Sequence, residues 1–126
     1  MSIQNITSAN APVAAGPYSQ AIKVGNFIYT SGQIPVDPNT GYIGQTIEEQ
    51  SKQVLDNLLA VLAGGDAGPQ DVVSTKIYLS DMKNFAAVNF VYMNYFKEPY
   101  PTRCCVEVSA IPKGVMIMIE AVAYKE

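Results

Sequence analysis

Histidine does not occur in this 126-residue chain, and the two cysteines stand side by side at positions 104 and 105. Without histidine there is no Ser–His or Cys–His activation of a nucleophile, no imidazole metal ligand and no imidazole acid–base step. Adjacent strand residues point to opposite faces, so Cys104 and Cys105 are not expected to form a disulfide with each other or to share a metal. Reduced thiols fit a cytoplasmic setting. Charge is also sparse: charged residues make up 15% of the chain, and the eight Lys and Arg are scattered under a formal net charge of −3. No basic cluster exists to track a phosphate backbone, which argues against nucleic acid as a partner. No apolar run approaches 18 residues, and no charged leader with an apolar stretch or lipidation motif is present. A soluble, cytoplasmic protein without a membrane partner is the expectation.

What is present is apolar surface. Hydrophobic residues reach 48%, too many for a small single domain to hide easily, so a homo-oligomer is expected. There is no internal repeat, linker or low-complexity tract, and residues 1–126 read as one domain. Ala21–Val24, Gly25-Asn26 and Phe27–Ser31 have the form of a β-hairpin, with a further strand near Ile3–Thr7. Gly32-Gln33-Ile34-Pro35 ends the hairpin, and Pro38-Asn39-Thr40-Gly41 makes a turn. Thr46-Ile47-Glu48-Glu49 matches a capping box, Val54, Leu55, Leu58, Val61 and Leu62 follow at helical spacing, and Gly64-Gly65 is a natural stop. Val72–Leu79 reads as a strand with Val73, Thr75, Ile77 and Leu79 on one side. Ser80 or Asp81 caps a second helix with a Phe85, Val88, Tyr92, Tyr95 stripe, closed by Glu98-Pro99. Strands Thr102–Val108 and Val115–Tyr124, separated by an Ile111–Gly114 turn, finish the chain. The order predicts an α+β fold, a mostly antiparallel mixed sheet with both helices on one face. The other sheet face then needs a cover.

Alternation puts Arg103, Cys105 and Glu107 on one face of their strand, with Cys104, Val106 and Val108 on the other as expected core. Arginine in so apolar a strand must reach an anion or solvent. Its planar fork suits a carboxylate, and pairing with an acidic side chain of the protein is the plainer account. With no histidine to activate it, Cys105 reads as packing or pocket lining. Tyr18 follows the Gly16-Pro17 turn and either presents a hydroxyl to a cleft or covers apolar surface. Ser31-Gly32 offers a hydroxyl and a close-approach backbone, or simple turn chemistry. Asn89 lies inside the second helix, where it either hydrogen-bonds something specific or faces water. On the last strand Val115, Ile117, Ile119 and Ala121 should meet the helices, while Met116, Met118, Glu120 and Val122 share the other face. Glu120 is either a working carboxylate in apolar company or half of a salt bridge to a neighbouring strand.

Taken together, Gly16-Pro17-Tyr18-Ser19-Gln20-Ala21, Thr30-Ser31-Gly32-Gln33-Ile34-Pro35, Pro101–Val108 and Ile119-Glu120-Ala121-Val122-Ala123 resemble the reactive intermediate/imine deaminase family (RidA, the YjgF or endoribonuclease L-PSP-like family). The likeness runs from Asn10 to the C-terminus. It implies a chorismate-mutase-like subunit in a homotrimeric barrel with clefts between subunits. It also implies cofactor-free hydrolysis of 2-imino acids such as 2-aminoacrylate, released by pyridoxal-phosphate-dependent dehydratases, to 2-oxo acids and ammonia. In that scheme Arg103 binds the substrate carboxylate, Gly32 and Cys105 line the pocket, Tyr18, Ser31 and Asn89 form its polar wall, and Tyr18 and Glu120 join Arg103 in the catalytic set. One departure stands out. The family's last strand commonly carries two glutamates one residue apart, the first handling the water, and here that first place is Met118. A weakened deaminase, or a carboxylate-binding or regulatory trimer, is therefore a competing reading. An endoribonuclease or translation inhibitor is a third, against which the low basicity and missing histidine weigh.

Overall fold

The computed structural model describes residues 2–126. Six strands form one sheet in the order β1-β2-β3-β6-β4-β5: β1 Ile3–Ile6, β2 Ala21–Val24, β3 Phe27–Thr30, β4 Val72–Leu79, β5 Thr102–Glu107 and β6 Ile117–Tyr124. Every pairing is antiparallel except β4 with β5. The β2–β3 hairpin turns at Gly25, whose φ of 60° favours a residue without a Cβ. Two helices, α1 Ile47–Ala63 and α2 Phe85–Tyr92, pack on one side of the sheet, as the α+β pattern predicts.

The core is set by β6, a central strand whose residues alternate between buried and half-buried. Ile117, Ile119, Ala121 and Ala123 are sunk against α1, where Val54, Leu55, Leu58, Val61 and Leu62 have no exposed surface. Opposite them in register, Thr75, Ile77 and Leu79 of β4 are equally buried. The α2 helix docks through Val88 and through a buried hydrogen bond of 2.8 Å between the Tyr92 and Thr75 hydroxyls.

Several local expectations change. Val73 is exposed and Val72 buried, because a register shift between Val72 and Ser74 reverses the alternation at the start of β4. The second helix stops at Tyr92, six residues before Glu98. Tightened turns (Asn94 N–H to Val91, Tyr95 N–H to Tyr92) let the chain bend so that Phe96 enters the core against the Tyr92 ring. The Tyr95 hydroxyl donates instead to Asp56 on α1, at 2.7 Å. At the end of α1 the positive φ falls on Asp66, not on a glycine. Gly64 and Gly65 serve close approach: a Cβ on Gly65 would lie 2.8 Å from Ile6 and 2.9 Å from Ile28. The α1 N-cap is half a capping box. Thr46 Oγ accepts from the Glu49 N–H at 3.1 Å, while the Glu49 carboxylate accepts from the Thr46 hydroxyl. Cys104 and Val106 are exposed rather than core, for β5 is an edge strand and their side faces away from the helices.

The sheet face without helices carries Ile22, Val24, Phe27, Tyr29, Val122, Tyr124, Tyr78 and Val106, by register across five strands. Phe27, Tyr29, Tyr124 and Val106 are each about 40% exposed or more, a contiguous apolar band of the kind that marks an interaction surface.

Three buried carboxamides tie the loops to this frame. Gln20 accepts from the Ser8 N–H at 2.7 Å and donates to the Pro12 carbonyl at 2.6 Å. Asn57 donates to the carbonyls of Ile34 and Val36. Gln50 donates to the Gly44 carbonyl at 2.9 Å and accepts from the Met116 N–H at 2.8 Å. Gln50→Leu keeps the volume and orphans both backbone groups, so it should cost about 2–4 kcal/mol. Urea unfolding with an unchanged m-value would read this; a loss under ~0.5 kcal/mol, the range of ordinary surface changes, would contradict it.

Candidate active site

Arg103 projects from β5 on the helix side, opposite buried Thr75 in register. Its guanidinium carbon lies 5.3 Å from the centre of the Phe85 ring and 5.1 Å from that of Tyr92, and Nη1 donates to Asn89 Oδ1 at 2.6 Å. Aromatic faces hold the cation by its π-clouds, and the neutral amide fixes one N–H. Asn89 therefore owes its mid-helix place to Arg103. Among the described residues no acidic partner accompanies it. Glu107, two residues along the same face, caps the turn before α2 by accepting from the Met82 N–H at 2.7 Å. Among the described residues Asn89 is the hydrogen-bond acceptor of Arg103, and the ion pair found is Lys52–Asp56 on α1. Arg103 and Asn89 line a cavity of about 510 Å³ with Tyr92, Met93, Tyr100 and Pro101. Cys105 sits half-buried beyond it, opposite Ile77. Burial pushes its thiol above the ordinary value and outweighs the nearby Arg103 charge, which pulls it down. That is a packing thiol, not an activated nucleophile.

A second group gathers where β3 leaves the sheet. The Ser31 hydroxyl donates to the Ser19 carbonyl at 2.5 Å, and its N–H donates to Gln20 at 2.9 Å, fastening the loop that carries Tyr18. Tyr18 is half-exposed, and its oxygen accepts from the Ala15 N–H at 3.3 Å. Tyr18 and Gly32 line a common cavity of about 290 Å³. A Cβ on Gly32 would stand 2.8 Å from the Met118 sulfur, so glycine is what lets the thioether lie against the backbone there. One step along, Glu120 shares the helix-free face with Met118.

Among the described residues Glu120 makes no salt bridge. Lys76 stands opposite it in register, yet the carboxylate takes the hydroxyl of Tyr78, a residue that sequence reasoning passed over. The signal was available: Tyr78 alternates with Ile77 and Leu79, and so shares the outer face with Met118. The hydrogen bond to Glu120, with burial and the carboxylate charge behind it, pushes the Tyr78 phenol up to about 12. It stays a donor at any neutral pH.

The structure thus assembles two groups and keeps them apart. Arg103, Asn89 and Cys105 meet on the helix side of the edge strand, while Tyr18, Ser31 and Gly32 meet at the end of β3, and Glu120 lies on the open face. Within one chain the sheet separates Arg103 from Glu120. Among the described residues no three His, Cys, Asp or Glu side chains converge as a metal set, and no helix is long and apolar enough to cross a membrane.

Comparison with known proteins matches residues 8–125 to the family described as Endoribonuclease L-PSP. A RutC family protein of Pyrococcus abyssi is 51% identical, covering 100% of both chains. The 2-iminobutanoate/2-iminopropanoate deaminase of Escherichia coli is 42% identical over 97% of this chain and 98% of its own. The crystal structure of E. coli TdcF with bound serine superposes with a TM-score of 0.93 at 37% identity, covering 98% of this chain and 99% of that one. Fold, length and ordered motifs agree throughout, and the chain belongs to the Endoribonuclease L-PSP family, which includes the RidA-type imine deaminases.

Proposed function

We propose that this protein is an imine deaminase that hydrolyses small 2-imino acids and their enamine tautomers, such as 2-aminoacrylate, to 2-oxo acids and ammonia. One observation carries the reading: Arg103 is gripped by two aromatic rings and a neutral amide, and among the described residues no acid pairs with its charge. A guanidinium so prepared presents a fork to a ligand carboxylate. The imine carbon is already electrophilic, so a held substrate and an oriented water suffice without a covalent intermediate or cofactor. Tyr18, Ser31 and Gly32 complete the pocket from the other side, supplied by a neighbouring copy in a homotrimer whose clefts lie between subunits. The apolar open face of the sheet supports that assembly.

A second reading has its own observation. Met118 occupies the space against Gly32, and a thioether cannot accept a proton from water. A trimer that binds small carboxylates without turning them over would look the same at Arg103. The ribonuclease implied by the family name has no support in the charge of −3 or in a chain without histidine.

Arg103→Ala should weaken binding of 2-oxobutyrate or pyruvate about 10- to 150-fold, the equivalent of about 1.5–3 kcal/mol for a charge-assisted contact, with the fold intact by circular dichroism. Equal affinity in mutant and parent would move the site elsewhere. Turnover is tested by stopped-flow decay of 2-aminoacrylate with and without the protein. Light scattering should give three times the 13.6 kDa chain mass; a stable monomer at micromolar concentration would defeat the shared site.

A further inference from the structure

We infer that Tyr78 is a positioning residue for Glu120, and that the pair supplies the water-handling carboxylate whose usual place Met118 occupies; this rests on the deaminase reading above. Tyr78 and Met118 are direct register partners on β4 and β6, and Glu120 is the next residue on the same face. From that station the Tyr78 hydroxyl reaches past Met118 to Glu120 Oε1. The bond commits one carboxylate oxygen, and Oε2 has no partner among the described residues. An acid pinned by one oxygen with the other unengaged is arranged to hold a water and receive its proton.

The neighbourhood sets that carboxylate next along the face from Met118, whose thioether lies against Gly32, a residue that lines the cavity shared with Tyr18. The β3–β6 pairing sets Tyr29 opposite Val122, and the Thr30 hydroxyl accepts from the Ala121 N–H at 3.0 Å. Beyond them the pairing shifts by one residue to Gln33 opposite Ile119, so Ser31 and Gly32 run past the level of Glu120. Met118 fills the groove against Gly32 one step further. The groove is apolar at Met118 and polar at Glu120, which moves the carboxylate roughly 6–7 Å along the strand. A free glutamate would sweep that range of positions; one tied to a tyrosine does not.

In the reaction the water oxygen bonds to the imine carbon, and the C=N π pair moves to nitrogen. The water proton passes to Glu120 Oε2 and on to that nitrogen. The new hydroxyl then passes its proton by way of Glu120 to the same nitrogen; the O–H pair forms the C=O bond as the C–N pair leaves with nitrogen, giving the 2-oxo acid and ammonia. One water enters and no electrons are exchanged with any other group.

The test follows 2-aminoacrylate decay in the assembled protein and its variants, with 2-oxobutyrate binding measured alongside. Glu120→Gln should lower kcat by about 10²-fold or more, the lower end of what general-base assistance supplies. Tyr78→Phe should lower kcat about 5- to 20-fold, as a held acid becomes a mobile one, with 2-oxobutyrate affinity unchanged. The double variant should be no slower than Glu120→Gln alone, since Tyr78 acts through that carboxylate. Met118→Glu should recover activity in the Tyr78→Phe background by restoring a carboxylate at the earlier position. Parental kcat in both single variants would overturn the inference while leaving the deaminase reading intact. A parent that binds 2-oxobutyrate through Arg103 yet never accelerates 2-aminoacrylate decay would overturn the deaminase reading and this inference with it.

Discussion

The alternation along β6 is the constraint on which the rest of the molecule depends. It is a central strand of the sheet, antiparallel to both neighbours. Four of its side chains fill the space under α1, and the residues between them form the middle of the open face. Shifting its register by one residue would drive Glu120 into the core and lift Ile119 out of it, which no packing around α1 could absorb. The same strict pleat assigns Met118 and Glu120 to the face without helices. Core packing and site chemistry are thus two sides of one strand, and neither can be repositioned without the other.

Around that strand, the irregular segments are held by buried amides as well as by apolar anchors such as Ala11, Phe96 and Ile111. Gln20, Gln50 and Asn57 are buried and bonded to loop backbone at several points. Each substitutes for a secondary-structure bond that a loop lacks, since a buried carbonyl or N–H without a partner is costly. Their positions are functional in effect. Gln20 shapes the segment that carries Tyr18, Gln50 pins the start of the last strand at Met116, and Asn57 holds the residues just after Gly32.

Periodicity made the fold legible, because β6 has one wholly apolar face and α1 a continuous apolar stripe, with Gln50, Ser51 and Asn57 as its buried polar exceptions. The helix stripe at Val54, Leu55, Leu58, Val61 and Leu62 is buried to the last residue. Legibility failed where a single residue obeyed a distant contact: Phe96 reaching the core cuts α2 short, and a bulge at the start of β4 trades Val72 for Val73. The edge position of β5 was also invisible, since strand order is not written in a strand's own pattern, and so Cys104 and Val106 looked like core. For the site, the pairing of Asn89 with Arg103 is a contact between α2 and β5, 14 residues apart in sequence, that no local signal announces. Glu120 was visible as an acid in apolar company, and alternation put Tyr78 on the same face, but choosing Tyr78 over Lys76 needs the lean of two side chains across a register.

The separation of the two groups bears on how this chain can act at all. A small 2-imino acid spans only a few ångströms, and a sheet stands between the Arg103 fork and the Glu120 carboxylate of the same subunit. One molecule cannot put both on one substrate. The edge strand that carries Arg103 also exposes unpaired backbone and a side, Cys104 and Val106, continuous with the apolar open face. Natural proteins protect such edges or use them. A copy laid across that face would cover the apolar band and shelter the edge. On the deaminase reading proposed above, activity scales with assembly rather than with folding, because Arg103 and Glu120 of one subunit stand on opposite faces of its sheet.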